Sequence, residues 1–231
     1  GILPSVLLVT PLSQNLGRVS PVVASTSMLN VELPNLPHSD VRVLLDEEIN
    51  VASGERDMSL EGKPPTGGCI WPCAAAMCRW LSANSDALHG ANILELGSGT
   101  GACGLHAAAL GASHVLLTDG SADLLALLAA NRDKNTNLLA GDPRRVGVER
   151  FIWGVAPPPA GQWEFVIGSD VIYSNAHEAL AASLSALLHG PGAAPRVVLS
   201  HEHRTRPDGV DVTQWEEYGP PLHTALGHAC R

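Results

Sequence analysis

The chain has 231 residues and a mass of 24.1 kDa, enough for one complete α/β domain and too few for a second of useful size. Hydrophobic residues make up 45% and charged residues 16%, which excludes a disordered polar chain. With 14 Lys and Arg against 23 Asp and Glu the net charge is −9, which disfavours non-specific attraction to a nucleic acid backbone and favours a basic partner.

In chain order, residues 1–39 read as an extension. Residues 1–31 are acid-free, with Arg18 as the one basic residue and many Ser, Thr and Pro, so a disordered leader is expected. Such a start also leaves an organelle-targeting remnant open beside the expected cytoplasmic location. A single α/β domain is then expected over residues 40–231. Val41, Val43 and Leu45 alternate, suggesting a small N-terminal β element over residues 40–49. Trp71-Pro72 opens an apolar helix, because proline suits a first helical turn. Strands are expected at Ile93–Leu96, Val115–Thr118, Val146–Ile152, Phe165–Gly168 and Arg196–Ser200, with helices at Ala102–Leu110, Ala122–Asn131 and Ala176–Leu188. Asn175 followed by Glu178 reads as a capping pair for the last of these helices. The alternation specifies a mostly parallel sheet with helices on both faces. Beyond Ser200 only a helix near Thr213–Tyr218 is expected, so a strand pair closing the sheet is expected to be incomplete.

Residues 92–104 read Asn-Ile-Leu-Glu-Leu-Gly-Ser-Gly-Thr-Gly-Ala-Cys-Gly, a strand that runs into a glycine-rich loop and then a helix. Such a loop tolerates positive φ and lets a ligand lie against the backbone. Two phases are available. Gly99-x-Gly101-x-x-Gly104 fits a dinucleotide fingerprint, with Asp119 at the end of the next strand as the ribose acid, but it begins two residues late. Glu95-x-Gly97-x-Gly99-x-Gly101 fits without a shift and resembles motif I of the S-adenosylmethionine-dependent methyltransferases with a Rossmann-like fold. An acid two residues before the first glycine suits a cationic cofactor and repels a pyrophosphate.

Further pieces follow in order: Gly68-Cys-Ile-Trp71-Pro, Leu117-Thr-Asp119-Gly, Asn131, Phe151-Ile-Trp153-Gly and Gly168-Ser-Asp170-Val-Ile-Tyr173. Together they resemble the seven-β-strand protein-lysine methyltransferases of methyltransferase family 16 over about residues 60–204. The resemblance implies a cofactor site for S-adenosylmethionine lined by Trp71, Glu95, Gly97, Ser98, Gly99, Asp119, Trp153 and Ser169. Asp119 would accept hydrogen bonds from the ribose hydroxyls, and Trp153 would offer a flat face to the adenine. Each has a plainer reading, as a helix-capping aspartate and a core tryptophan. Asp170 would orient the target amine and Tyr173 would wall a lysine channel; a capping aspartate and a packed tyrosine are the alternatives. No prolines follow Asp170, unlike amino-methylating relatives that act on nucleobases. The implied partner is therefore a protein bearing a target lysine, with no nucleic acid and no membrane. Arginine methylation, small-molecule methylation and a non-catalytic cofactor-binding module of the same fold are the rivals.

Other chemistry finds little support. Cys69, Cys73, Cys78, Cys103 and Cys230 contain no Cys-x-x-Cys pair, so no zinc site is expected and free buried thiols are. His201 and His203 share one face if their strand continues, but they lack a third ligand. No Gly-x-Ser-x-Gly elbow points to hydrolysis.

Overall fold

The computed structural model describes residues 6–9, 66–139, 141–172 and 176–201. Among these residues six strands form one sheet: β1 (Val6–Val9), β2 (Asn92–Leu96), β3 (His114–Asp119), β4 (Val146–Arg150), β5 (Phe165–Ser169) and β6 (Arg196–Ser200). Their order is β1-β6-β5-β2-β3-β4, and every pair is parallel. The helices are α1 (Pro72–Ala83), α2 (Ser85–Leu88), α3 (Ala102–Ala109), α4 (Ala122–Lys134) and α5 (His177–Leu188).

Parallel strands covered on both sides must be apolar on both faces, and the inner strands β2, β3, β5 and β6 follow that rule. In β2, Ile93 faces one core with Val115, Leu117, Ile167 and Val198, and α1, α3 and α4 cover that side through Met77, Leu105 and Leu128. Leu94 and Leu96 face the other core with Val166, Val197 and Leu199, closed by Leu180, Leu184 and Leu188 of α5. Each such leucine stabilises the fold by roughly 2 kcal/mol through burial. Pro72 at the first position of α1 needs no hydrogen-bond acceptor for its missing N–H, and Trp71 is the N-cap residue in an extended conformation.

The expected α/β architecture is therefore present, with differences at its edges. Val6–Val9, expected within the leader, form an edge strand in register with Val197–Ser200. The run Val-Leu-Leu-Val has the composition of a buried parallel strand, and it covers the edge that β6 would otherwise leave open. β4 ends at Arg150 and not at Ile152: the last ladder bond runs from the Phe151 amide to Asp119 O (3.0 Å), and the chain then turns. The N-cap of α5 is Ala176, one residue later than the expected pair requires. Asn175, the β element over residues 40–49, the helix near Thr213–Tyr218, His203 and Cys230 lie outside the described residues. Among the described residues no helix is long and apolar enough to cross a membrane.

After β4 the chain crosses from one side of β2 to the other to enter β5. A crevice opens at such a reversal, beyond the carboxyl ends of the strands, and open α/β sheets bind their ligands there.

Candidate functional site

The glycine loop leaves β2 at that crevice. Gly99 sits at φ 54°, and a Cβ there would stand 2.5 Å from the carbonyl oxygen of Gly67. Only glycine meets both conditions. The loop is held from several directions. The Ser98 amide donates to Thr118 O (2.8 Å), the Thr118 amide donates to Ser98 Oγ (2.9 Å), and Thr118 Oγ1 donates to Glu95 O (2.6 Å). From α4, the buried Asn131 donates through Nδ2 to Thr100 O (2.8 Å). From β3, Asp119 accepts the Gly99 amide at Oδ2 (3.0 Å) and the Ser121 amide at Oδ1 (2.9 Å).

Gly104 does a different job. A Cβ on it would collide with Leu117 and stand 2.6 Å from Glu95 Oε2, so its absence lets α3 press against β2 and β3. The Gly104 amide then donates to Glu95 Oε2 (3.0 Å). Glu95 is 2% exposed, and burial pushes its carboxyl up to about 8, with the nearby Asp119 charge adding to the effect. Burial thus favours the protonated carboxyl near neutral pH in the ligand-free protein. The acid of the loop thus occupies an amide in the first turn of α3, where a phosphate would otherwise be received. This supports the cationic-cofactor phase over the dinucleotide phase.

A cavity of about 380 Å³ lies over the loop, within the ordinary size range of small-molecule sites. Trp71, Glu95, Gly97, Ser98, Gly99, Asp119, Trp153, Ser169 and Asp170 all line it. Tyr173 lies outside the described residues. Trp153, in the turn after β4, lies against the loop: a Cβ on Gly97 would stand 3.2 Å from its ring. Ser98 borders the cavity, but its hydroxyl already binds β3. The α4 N-cap is Ser121, so Asp119 reaches the helix start from two residues earlier while still facing the cavity.

At the exit of β5, Asp170 is 8% exposed and adopts φ 53°, the sole positive φ of a non-glycine among the described residues. Strain of this kind collects at functional sites. The Asp170 amide donates to Ser200 O (2.8 Å), and Oδ1 lies 3.7 Å from Nδ1 of His201.

Sequence reasoning missed several wall residues. Gly67, Ile152 and Leu124 line the cavity, as does Cys103. A sequence signal existed for Gly67, which precedes the Gly68–Pro72 segment, and for Ile152, which stands beside Trp153. The Cys103 thiol is driven well above the ordinary thiol range by its hydrogen bond with Cys78 and by burial, so it acts as a neutral packing group. His201, for which the sequence offers no third metal ligand, has Nδ1 3.7 Å from Asp170 Oδ1.

The residues present fit S-adenosylmethionine in kind. Carboxylates at Glu95 and Asp119 can face an ammonium and a ribose diol, a bare glycine backbone admits close approach, and Trp153 supplies a flat wall.

Comparisons with known proteins agree. The family model described as lysine methyltransferase matches residues 56–215. The protein N-lysine methyltransferase METTL21A of Danio rerio is 33% identical over 147 residues, covering 63% of this chain and 65% of that protein. Its counterpart in Xenopus tropicalis is 30% identical over 139 residues, covering 60% and 62%. The protein-lysine methyltransferase METTL21E of Mus musculus is 30% identical over 130 residues, covering 53% and 52%. The chain spans less than two thirds of the length of these curated relatives.

Proposed function

This chain belongs to the lysine methyltransferase family, and we propose that it moves a methyl group from S-adenosylmethionine to the side-chain nitrogen of a lysine in a protein. The observation that carries the reading is the single cavity in which Glu95, Asp119 and Asp170 converge around the glycine loop. Methyl transfer needs little covalent work from the protein. The bound cofactor supplies an electrophilic methyl on a positive sulfur. The chain must place a nitrogen lone pair in line with it and exclude water.

Glu95 and Asp119 hold the cofactor, while the loop fixes its position. Trp71, at the start of α1, lines the same cavity. Asp170 receives the target as an ammonium by a charge-assisted hydrogen bond and orients it. That contact alone keeps the proton on. Lysine titrates near 10.4, so only about one in a thousand is neutral at pH 7, and a carboxylate raises that value further. Desolvation in the cavity and the positive sulfur push the other way. Asp170 therefore serves placement and charge accommodation. The net charge of −9 suits a basic substrate surface, and a cytoplasmic location suits the free thiols of Cys78 and Cys103.

The test combines binding with transfer. S-adenosylhomocysteine should bind the full chain, with a loss of about 100-fold in Asp119→Ala, since charged hydrogen bonds contribute roughly 1.5–3 kcal/mol each; tight NADH binding instead would defeat the reading. Labelled S-adenosylmethionine in cell extract should place label on protein lysine in the wild type. Asp170→Ala should abolish that label while keeping cofactor affinity. Label confined to small molecules would reject the protein substrate.

A further inference from the structure

We propose that Cys103 is a positioning residue for Glu95: its S–H donates to Ala74 O while the site is empty and turns to the Glu95 carboxylate when a cationic cofactor arrives. The inference rests on the methyltransferase reading above and assigns a partner to the acid that meets the cofactor's ammonium.

The first turn of α3 builds the arrangement. Because Gly104 has no Cβ, that turn comes down on Glu95 and delivers the Gly104 amide to Oε2 (3.0 Å). Cys103, one residue earlier, is carried with it to the junction of α3, β2 and the start of α1, where it is 2% exposed. Its Sγ lies 3.8 Å from Ala74 O, in the first turn of α1, and the same thiol is within hydrogen-bonding reach of the Glu95 carboxyl. Ala74, Glu95 and Cys103 all border the cavity. One hydrogen thus has two acceptors, and rotation about the Cβ–Sγ bond moves it between them.

Charge decides which acceptor wins. A thiol is a weak donor to a neutral carbonyl, whereas a bond to a carboxylate is charge-assisted and stronger. In the empty site burial raises the Glu95 carboxyl to about 8, so near neutral pH it carries its own proton and Cys103 stays with Ala74 O. Cofactor binding sets a cation against Glu95. The carboxyl proton leaves to solvent, and the charge that remains takes the Cys103 hydrogen beside the Gly104 amide. Cys103 has that hydrogen to give, because its bond with Cys78 of α1 and its burial keep the thiol neutral. The other groups around Glu95 do not replace it. Asp119 on β3 opposes the ionised form, the Ser98 hydroxyl of the loop favours it, and the register partners Leu117 and Ile167 are apolar. Asp170 and Cys69 border the same cavity, and no Lys or Arg among the described residues lines it, so no fixed cation there supports the Glu95 charge before the cofactor does.

The experiment titrates the full chain, labelled at the glutamate carboxyl carbons, by NMR without ligand, and measures S-adenosylhomocysteine affinity by calorimetry in the same variants. The Glu95 resonance is the one lost in Glu95→Gln. Cys103→Ser keeps the side-chain size and strengthens the donor, so the Glu95 midpoint should fall by about one pH unit. Cys103→Val removes the donor while keeping water out, so the midpoint should rise. Affinity follows the ionised fraction by at most about tenfold per pH unit, so at about pH 6.5 the serine variant should bind S-adenosylhomocysteine several-fold more tightly than the wild type and the valine variant more weakly. By about pH 9 the three affinities should converge, which a merely structural cysteine would not produce. A midpoint at or above the wild-type value in Cys103→Ser, a shift in the same direction in both variants, or an equal loss of affinity at both pH values overturns the proposal. If the valine variant does not fold, the sign of the serine shift decides. Absence of S-adenosylhomocysteine binding to the wild type defeats the methyltransferase reading, while the midpoints, read without ligand, still judge Cys103; if it binds and the midpoints do not separate, only the role of Cys103 fails.

Discussion

At the glycine loop the backbone is gripped by β3 through Thr118 and Asp119 and by α4 through Asn131. Across the cavity, at the exits of β5 and β6, Asp170 swings out of the ladder at φ 53° immediately after its amide binds Ser200. One wall is over-determined by hydrogen bonds that run between successive elements. The other sets two strand ends in register, anchors Ser200 to Cys73 O and holds a left-handed backbone at the residue that faces the cavity. A wall of the first kind suits a ligand of constant shape.

This contrast predicts unequal responses to mutation. The largest belongs to Gly99→Ala, which places a Cβ 2.5 Å from Gly67 O at φ 54°. Enforced overlap and backbone strain together cost about 3 kcal/mol, so S-adenosylhomocysteine affinity should drop by more than about 100-fold in calorimetry. Affinity within a few-fold of wild type would show that the loop is less rigid than its hydrogen bonds require.

Next comes Glu95. Below about pH 8 its carboxyl is protonated in the ligand-free protein, because burial opposes the charge. A cationic ligand favours the ionised form, so binding expels the proton. Cofactor affinity should therefore rise with pH toward about 8, by at most about tenfold per unit, and level off above it. The same shift acts on folding with the opposite slope: the unfolded carboxyl ionises near 4.5, so the ligand-free fold loses stability as pH rises from there toward about 8. Glu95→Gln should flatten both profiles. Proton release on binding, read from calorimetry in buffers of different ionisation enthalpy, checks the first; a flat profile in the wild type would contradict it.

The smallest effect on stability and cofactor affinity is expected at the strained edge. Asp170→Gly relieves the left-handed backbone and should raise stability to denaturant by about 1 kcal/mol, while leaving S-adenosylhomocysteine affinity unchanged and abolishing transfer. Destabilisation by a similar amount would mean that the aspartate contributes to folding more than its strain costs.

Legibility in the sequence divides along the same line. The five strands from β2 to β6 and their helices were readable because a buried parallel strand must be a short apolar run and a covering helix must carry an apolar stripe. The cofactor wall was readable because its requirements are local: Glu95, the glycines and Asp119 lie within two consecutive strand-to-turn units. Even there, Asn131 appeared only as part of a resemblance, and its amide proved to tie α4 to Thr100 O. Val6–Val9 were read as leader because composition reports solvent preference over a long window, while pairing with β6 is decided by a strand far away in sequence.

By itself, then, the sequence determined the α/β class, the phase of the glycine loop and the identity of the acid ahead of it, since each depends on residues that are neighbours along the chain. Tertiary structure alone decided that Gly104 would deliver its amide to Glu95, that burial would hold the Glu95 proton to about pH 8, and that His201 would come within 3.7 Å of Asp170. Those facts depend on strand register and on how much water the packed elements exclude, and neither is carried by any one stretch of residues.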